Sequence, residues 1–337
     1  MQDNFESLGA VAAGIVAGLK PTRAVPAFGL HGDIDAATYH ADPFFDEPTL
    51  SSGIAGKMLN ETPKHARLAH PRLGGQTKPA TAEMDLGSVA HELLLGKGGG
   101  YVVSPFDEYR TKEAKAWRDE TIAKGLTPIK EKYFNAAQQM AVSVRSVLQQ
   151  IDGEGMNTAF KLGFPETVVI WRDIGGPLCR AMIDYWYPPI AWDFKTTGNG
   201  LSDRTLRTWI ASGLDLQAAF YLRGIETALP RLAGRVKWRW LFCETEHPFE
   251  ARVIEMDAAT RTFGDRKAAL AIEKWRRCLA ANDWPGYPRE IGRIEYASWA
   301  ENNIIAREME DPDAVSMRPL YAPMPAAKSS QLEEFAP

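Results

Sequence analysis

A chain of 337 residues with 45% apolar and 24% charged side chains can bury a sizeable core, as two domains or as one elaborated α/β domain with extensions. Its formal net charge of −4 excludes a generally basic nucleic-acid coat, though not a local basic groove. Three widely spaced cysteines, Cys179, Cys243 and Cys278, lack any CxxC or Cys/His zinc spacing; they read as buried or free thiols of a reducing compartment, not as a disulfide framework.

The apolar run Leu8 to Leu19 follows Asp3 and Glu6, not a basic segment, and is too short to span a bilayer, so it predicts a small packed helix with no membrane role. Prolines and glycines recur from Lys20 to Pro48 without periodicity. Ser51 or Ser52 can then cap a helix through GIAGKMLN. Lys64, His65, Arg67, His70 and Arg72 form the densest basic cluster of the first quarter, read as a solvated face. Thr81 to Gly96 has an amphipathic helical pattern ended by glycines, and His91 lies within it; a lone histidine there is usually packed or at the surface. A strand, a charged helix and a turn follow, then a long amphipathic helix from Glu131 to Ile151.

Glu166 to Trp171 reads as a strand whose first residue is an acid, either a surface glutamate or part of a site. From Arg180 to Thr197, two apolar segments flank Pro188 and Pro189, and each carries one aspartate. Residues i and i+2 of a strand share a face, so Asp193 and Lys195 project together, opposite Trp192 and Phe194. If the two strands pair, Asp184 arrives beside Asp193. An Asp-x-Lys alone is usually a solvated face or a cross-strand ion pair. Two aspartates inside apolar strands need a partner or a cation, and two carboxylates with waters and phosphate oxygens suit Mg²⁺. The helix LDLQAAFYLRGIETAL then sets Gln217 and Tyr221 on one face. RVKWRWLFCETE and EARVIEMD read as paired strands, Ala258 to Ala281 as a helix, and the Pro/Ala/Ser-rich end beyond Asp311 as a disordered tail. No P-loop, GxGxxG, GxSxG or HExxH occurs, which leaves the acidic strand pair as the candidate constellation.

The order LGSVAHELLL, MID, WDFKTT and LDLQAAFY resembles the PD-(D/E)XK nuclease superfamily, in particular its exonuclease VIII-type (RecE-like) branch found in phages and prophages. The similarity runs from about Leu50 to the YASWAEN segment and divides the chain into an extension (1–49), a nuclease domain (50–310) and a tail (311–337). At Asp184 this chain has Met-Ile-Asp where the branch more often has Arg-Pro-Asp. The resemblance implies an α/β fold, a mixed central β-sheet flanked by helices. It also implies Mg²⁺, with Mn²⁺ able to substitute, held by Asp184, Asp193 and the Phe194 carbonyl, with His91 and Glu166 completing or bordering the site. Lys195 would orient or deprotonate the attacking water, and Gln217 and Tyr221 would brace the site. The implied activity is 5′→3′ digestion of duplex DNA ends by a cytoplasmic homo-oligomeric ring that hands 3′ single strands to an annealing protein. A non-catalytic DNA-binding role and a structure-specific endonuclease are the alternatives. Gln331, Leu332 and Phe335 faintly resemble a sliding-clamp-binding peptide.

Overall fold

The computed structural model describes residues 26–75, 81–152 and 162–311. The predicted helix at 8–19 and the clamp-like peptide at 331–335 lie outside the described residues, as does the tail beyond 311. The chain divides into two compact units, 1–286 and 287–337.

In the first unit, strand β1 (Gly29–His31) is followed by a separate parallel ribbon of β2 (Tyr101–Ser104) and β3 (Thr127–Lys130), then by β4 (Phe164–Arg172), β5 (Leu178–Tyr187), β6 (Ile190–Thr197), β7 (Lys237–Glu244) and β8 (Ala251–Glu255). The central six-stranded sheet has the order β1-β4-β5-β6-β7-β8. Its neighbours are antiparallel except β6 and β7, which are joined by a helical crossover and run parallel. The sheet is therefore mixed and covered by helices on both faces, as expected.

The helices are α1 (Ala36–Ala41), α2 (Ser52–Asn60), α3 (Pro63–Ala69), α4 (Ala82–Leu95), α5 (Lys112–Ala123), α6 (Glu131–Asp152), α7 (Asp203–Trp209), α8 (Asp215–Ala228) and α9 (Ala258–Ala281). Ser51, Thr62 and Thr81 cap α2, α3 and α4 by accepting from the backbone N–H three residues on. Helices α2, α8 and α9 cover one face of the sheet, and α4 and α6 cover the other. Along β7 the alternation is regular: Trp238, Trp240 and Phe242 enter the first layer, Leu241 and Cys243 the second. Trp171, Trp186, Trp238, Trp240 and Trp275 are fully buried with no hydrogen-bond partner for the indole N–H. Each such N–H costs about 1–3 kcal/mol, whereas burying the ring stabilises by about 4–6 kcal/mol at most, so the rings hold the core despite the lost bonds.

The segment set apart by the sequence as an extension is built into this core, at least from residue 29. β1 completes the sheet edge against β4, and Leu50 pairs with β5 by exchanging backbone hydrogen bonds with Leu178 and Arg180. Arg180 is buried and donates to the carbonyls of Tyr39 (3.0 Å) and Thr49 (2.7 Å), and it meets the buried Asp42 carboxylate at 3.1 Å. Asp42 also accepts from the Thr49 N–H and hydroxyl. His70, read from sequence as part of a solvated basic face, is buried within this network at 3.0 Å from the Thr49 carbonyl. Arg72 reaches the carbonyls of Phe45 and Asp46.

The second unit contributes an extended stretch and helix α10 (Ser298–Glu310), in which no described residue is buried. The first unit ends at 286. Among the described residues no helix is long and apolar enough to cross a membrane.

Candidate active site

The β5–β6 hairpin turns at Pro188 and Pro189, whose peptide bond is cis, and its ladder runs Tyr187↔Ile190, Trp186↔Ala191, Tyr185↔Trp192. The next facing pair in that register is Asp184 with Asp193, and there the ladder stops. Instead of meeting a β5 carbonyl, the Phe194 N–H donates to Asp184 Oδ2 at 2.8 Å. A strand residue directs its N–H and C=O to the same side, so the Phe194 carbonyl is aimed into the same gap between the strands.

A second irregularity makes that gap. Cys179, Ala181 and Ile183 of β5 enter the first core layer, yet Tyr185 enters the second and Trp186 the first, so the alternation reverses at Asp184. Across the ladder, Glu166 of β4 has φ 48°, a left-handed conformation uncommon for a non-glycine residue. The β4–β5 register passes over these two facing residues.

Asp193 is 1% exposed. Its Oδ1 accepts from Lys195 Nζ at 2.6 Å and from Gln217 Nε2 at 3.1 Å, while its buried Oδ2 has no hydrogen-bond partner. Burial, aided by the Asp184 charge and opposed by Lys195, pushes the Asp193 carboxyl up to about 6. For Asp184 burial also works upward, but the interactions with His91, Lys195 and the Phe194 N–H outweigh it and the net direction is down. Burial works to lower Lys195, and the two carboxylates overcome it and raise it, so the amine is an ammonium at neutral pH. His91 Nε2 stands 3.7 Å from Asp184 Oδ1, an ion-pair contact; burial would lower its pKa, but Asp184 and then Glu166 turn the shift upward. Burial and then the two aspartates push the Tyr221 hydroxyl up to about 12, and it keeps its proton in contact with Ser52 and Gln217.

The placement has simple causes. Gly213 (φ 150°) breaks the chain between α7 and α8, so α8 starts afresh and turns Gln217 and Tyr221 toward β6. Helix α4 lies so close to β6 that a Cβ on Gly87 would come 2.9 Å from Thr196 Oγ1, which fixes His91 relative to Lys195. Asp184, Asp193, Lys195, Gln217, Tyr221, His91 and Phe194 thus come together. Glu166 stands at the border, buried beside Lys97 (4.0 Å), with its influence reaching His91. Sequence reasoning missed Ser52 and Lys97. The Ser51-Ser52 doublet held a signal for the first, since one serine suffices for the cap and the other is left free for Tyr221.

The donors in the gap are the unpartnered Asp193 Oδ2, Asp184 Oδ1 and the Phe194 carbonyl, all hard oxygens, so a hard divalent cation fits them. Among the described residues no three His, Cys, Asp or Glu side chains close around one point.

This arrangement titrates. Without a cation, the folded protein holds the Asp193 proton up to about 6, against an ordinary 3.8 in the unfolded chain. A raised pKa contributes stability that is complete below the unfolded value and lost as pH rises through the folded one; the full shift is worth about 3 kcal/mol. Asp184, whose pKa is lowered, works in the opposite sense, its contribution being lost as pH falls through its folded value. In chelator, Asp193→Asn is therefore expected to flatten the fall in unfolding free energy between pH 4 and pH 6. Denaturant titrations at several pH values check this; identical slopes for the variant and wild type would contradict it.

The sequence of residues 55–298 matches a family profile described as PDDEXK-like domain of unknown function (DUF3799). Comparison with curated proteins gives no match. Among solved structures, a candidate exonuclease from Eubacterium rectale is similar with a TM-score of 0.52 and 11% identity, over 79% of this chain and 96% of that one; at that identity the likeness concerns the fold. Another, SSO0001, covers 58% of this chain and 88% of its own at 14% identity, and its TM-score of 0.25 carries no argument.

Proposed function

This chain belongs to the PDDEXK-like domain family (DUF3799), with the fold of the PD-(D/E)XK nuclease superfamily, and from that premise we propose that it is a metal-dependent deoxyribonuclease. The observation that carries the reading is the buried Asp193, whose Oδ1 is held by Lys195 and Gln217 while Oδ2 is left free at the gap facing Asp184.

Asp184, Asp193 and the Phe194 carbonyl would hold Mg²⁺, or Mn²⁺ in its place, with His91 at the border. When bound, such an ion polarises a phosphoryl oxygen and lowers the pKa of water. The protein's own groups then have distinct tasks. Lys195, charged and 27% exposed on its side chain, places an ammonium where negative charge grows on the phosphoryl oxygens and hydrogen-bonds the incoming water. Gln217 fixes the Asp193 carboxylate in one rotamer. Tyr221 supports Gln217 from one helical turn away, and Ser52 steadies Tyr221.

The finer reading is that of the exonuclease VIII-type branch: 5′→3′ digestion of duplex DNA ends by a cytoplasmic homo-oligomeric ring, leaving 3′ strands for an annealing protein. Its support is the motif order from LGSVAHELLL to LDLQAAFY. Linear duplex DNA labelled at the 5′ or the 3′ end, with covalently closed circles beside it, tests this in Mg²⁺ and in EDTA. Loss of linear DNA alone, dependent on Mg²⁺ and releasing the 5′ label first, is the expected result. Cleavage of closed circles would replace the exonuclease with an endonuclease, and no cleavage of either DNA by folded protein would leave a binding role.

A further inference from the structure

The β2–α5–β3 excursion between α4 and α6 lines a half-open cavity of about 200 Å³. Its lining joins Asp85 of α4, Tyr109, Arg118 of α5, Pro128 and Ile129 of β3, and Tyr133 of α6. Pro128 and Ile129 give an apolar floor, and the tyrosines give walls. Three polar groups in this lining are left over. The Tyr109 hydroxyl is buried with no hydrogen-bond partner. Among the described residues, Asp85 has no hydrogen bond to its carboxylate and Arg118 has no close ion pair; the guanidinium lies over the Tyr109 ring, 5.7 Å from its centroid, and acts on Asp85 through space. Burial raises the Asp85 carboxyl, and the Arg118 guanidinium works against it. Lys130, also at the rim, is neutralised by Glu108 at 2.7 Å.

An acceptor, a strong donor and a hydroxyl around an apolar slot do not match a bare phosphate, because Asp85 would repel it and Lys130 is already paired. They match a flat group with donors and acceptors on its edge and apolar faces, and the volume is below the roughly 300–1,000 Å³ of a nucleotide-cofactor or drug-sized pocket. Asp85 and His91 lie on the same helix, about 9 Å apart along its axis and on faces about 120° apart, so a strand at the Asp184–Asp193 gap would reach the cavity by passing around α4 over roughly two or three nucleotides.

We infer that this cavity receives one unpaired base of the nucleic-acid strand whose phosphate lies at the Asp184–Asp193 gap. The base edge meets Asp85, Arg118 and the Tyr109 hydroxyl, and its face meets Tyr133. The inference rests on the nuclease reading and adds a seat for the strand beyond the reacting phosphate.

Single-stranded oligonucleotides carrying one abasic analogue, moved position by position, test it by fluorescence anisotropy with the full chain in EDTA. Base stacking on an aromatic side chain makes a loss of about tenfold the expected effect at one position of the walk. Arg118→Gln is expected to bind the intact strand about tenfold more weakly and to show no further loss at that position. Tyr109→Phe, which removes only the hydroxyl and preserves the packing, should shrink the same loss. Equal binding of every abasic strand by wild type, or an undiminished loss in both variants, overturns the inference. Wild type that shows the positional loss but cuts no DNA in Mg²⁺ keeps the seat and removes the nuclease reading; wild type that cuts DNA with no positional loss does the reverse.

Discussion

Replacing Lys195 by methionine is expected to lower the single-turnover rate of DNA hydrolysis about 10³-fold while leaving DNA binding in EDTA close to that of wild type. Methionine keeps most of the side chain's length and packing but lacks the ammonium 2.6 Å from Asp193 Oδ1. Two losses follow. Developing phosphoryl charge has no fixed cation beside it, and Asp193, raised by burial and by Asp184, loses the group that opposes both. Its pKa then climbs, so the variant should need higher pH as well as more Mg²⁺ to reach its residual rate. Rate measurements across pH at saturating Mg²⁺ separate these effects. A variant within tenfold of wild type at pH 7 would remove Lys195 from the chemistry.

The second large effect concerns stability. Arg180→Met strips the fully buried guanidinium from the network of Asp42, Thr49 and His70, so the Asp42 carboxylate remains in the core with hydrogen bonds from Thr49 and only the longer contacts to His70 (3.5 Å) and Arg72 (3.9 Å). Breaking a buried ion pair from one side costs about 3–5 kcal/mol, because the remaining charge cannot regain water. Urea unfolding at pH 7 should show that loss. The double variant Arg180→Met with Asp42→Asn should lose less than the sum of the two singles, since no charge is then stranded. A loss under about 1 kcal/mol for Arg180→Met alone would mean that residues 42–50 are held by packing and not by this pair.

Much of this architecture is legible in the sequence. The helices over Ala82–Leu95, Glu131–Asp152 and Ala258–Ala281 follow their apolar periodicity, and the two prolines mark the β5–β6 hairpin. The shared face of Asp193 and Lys195 follows from the two-residue period of a strand, and the spacing of Gln217 and Tyr221 from the helical one. What escapes is either non-local or irregular. The three-residue β1 carries no periodic pattern, and only its partner β4 makes it a strand. Arg180 reaches Thr49 across 131 residues of sequence, a pairing that no local window contains. Glu166 begins an apolar run and reads as a regular strand end, but its φ of 48° belongs to the three-dimensional setting and helps reverse which residues face which layer. Helix α10 carries Trp299, Ile304, Ile305 and Met309 but buries none of them, so no core contact ties its pattern to the rest of the fold.

The interrupted ladder at Asp184 also limits what evolution could place there. That side chain ties down a main-chain N–H at 2.8 Å and at the same time offers a charge to the gap. Asparagine would keep the acceptor and lose the charge; glutamate would keep the charge, but one extra methylene would carry its oxygens past the Phe194 amide. Serine would reach neither. Position 184 therefore answers to the backbone as well as to the chemistry, and of the twenty side chains aspartate alone meets both demands.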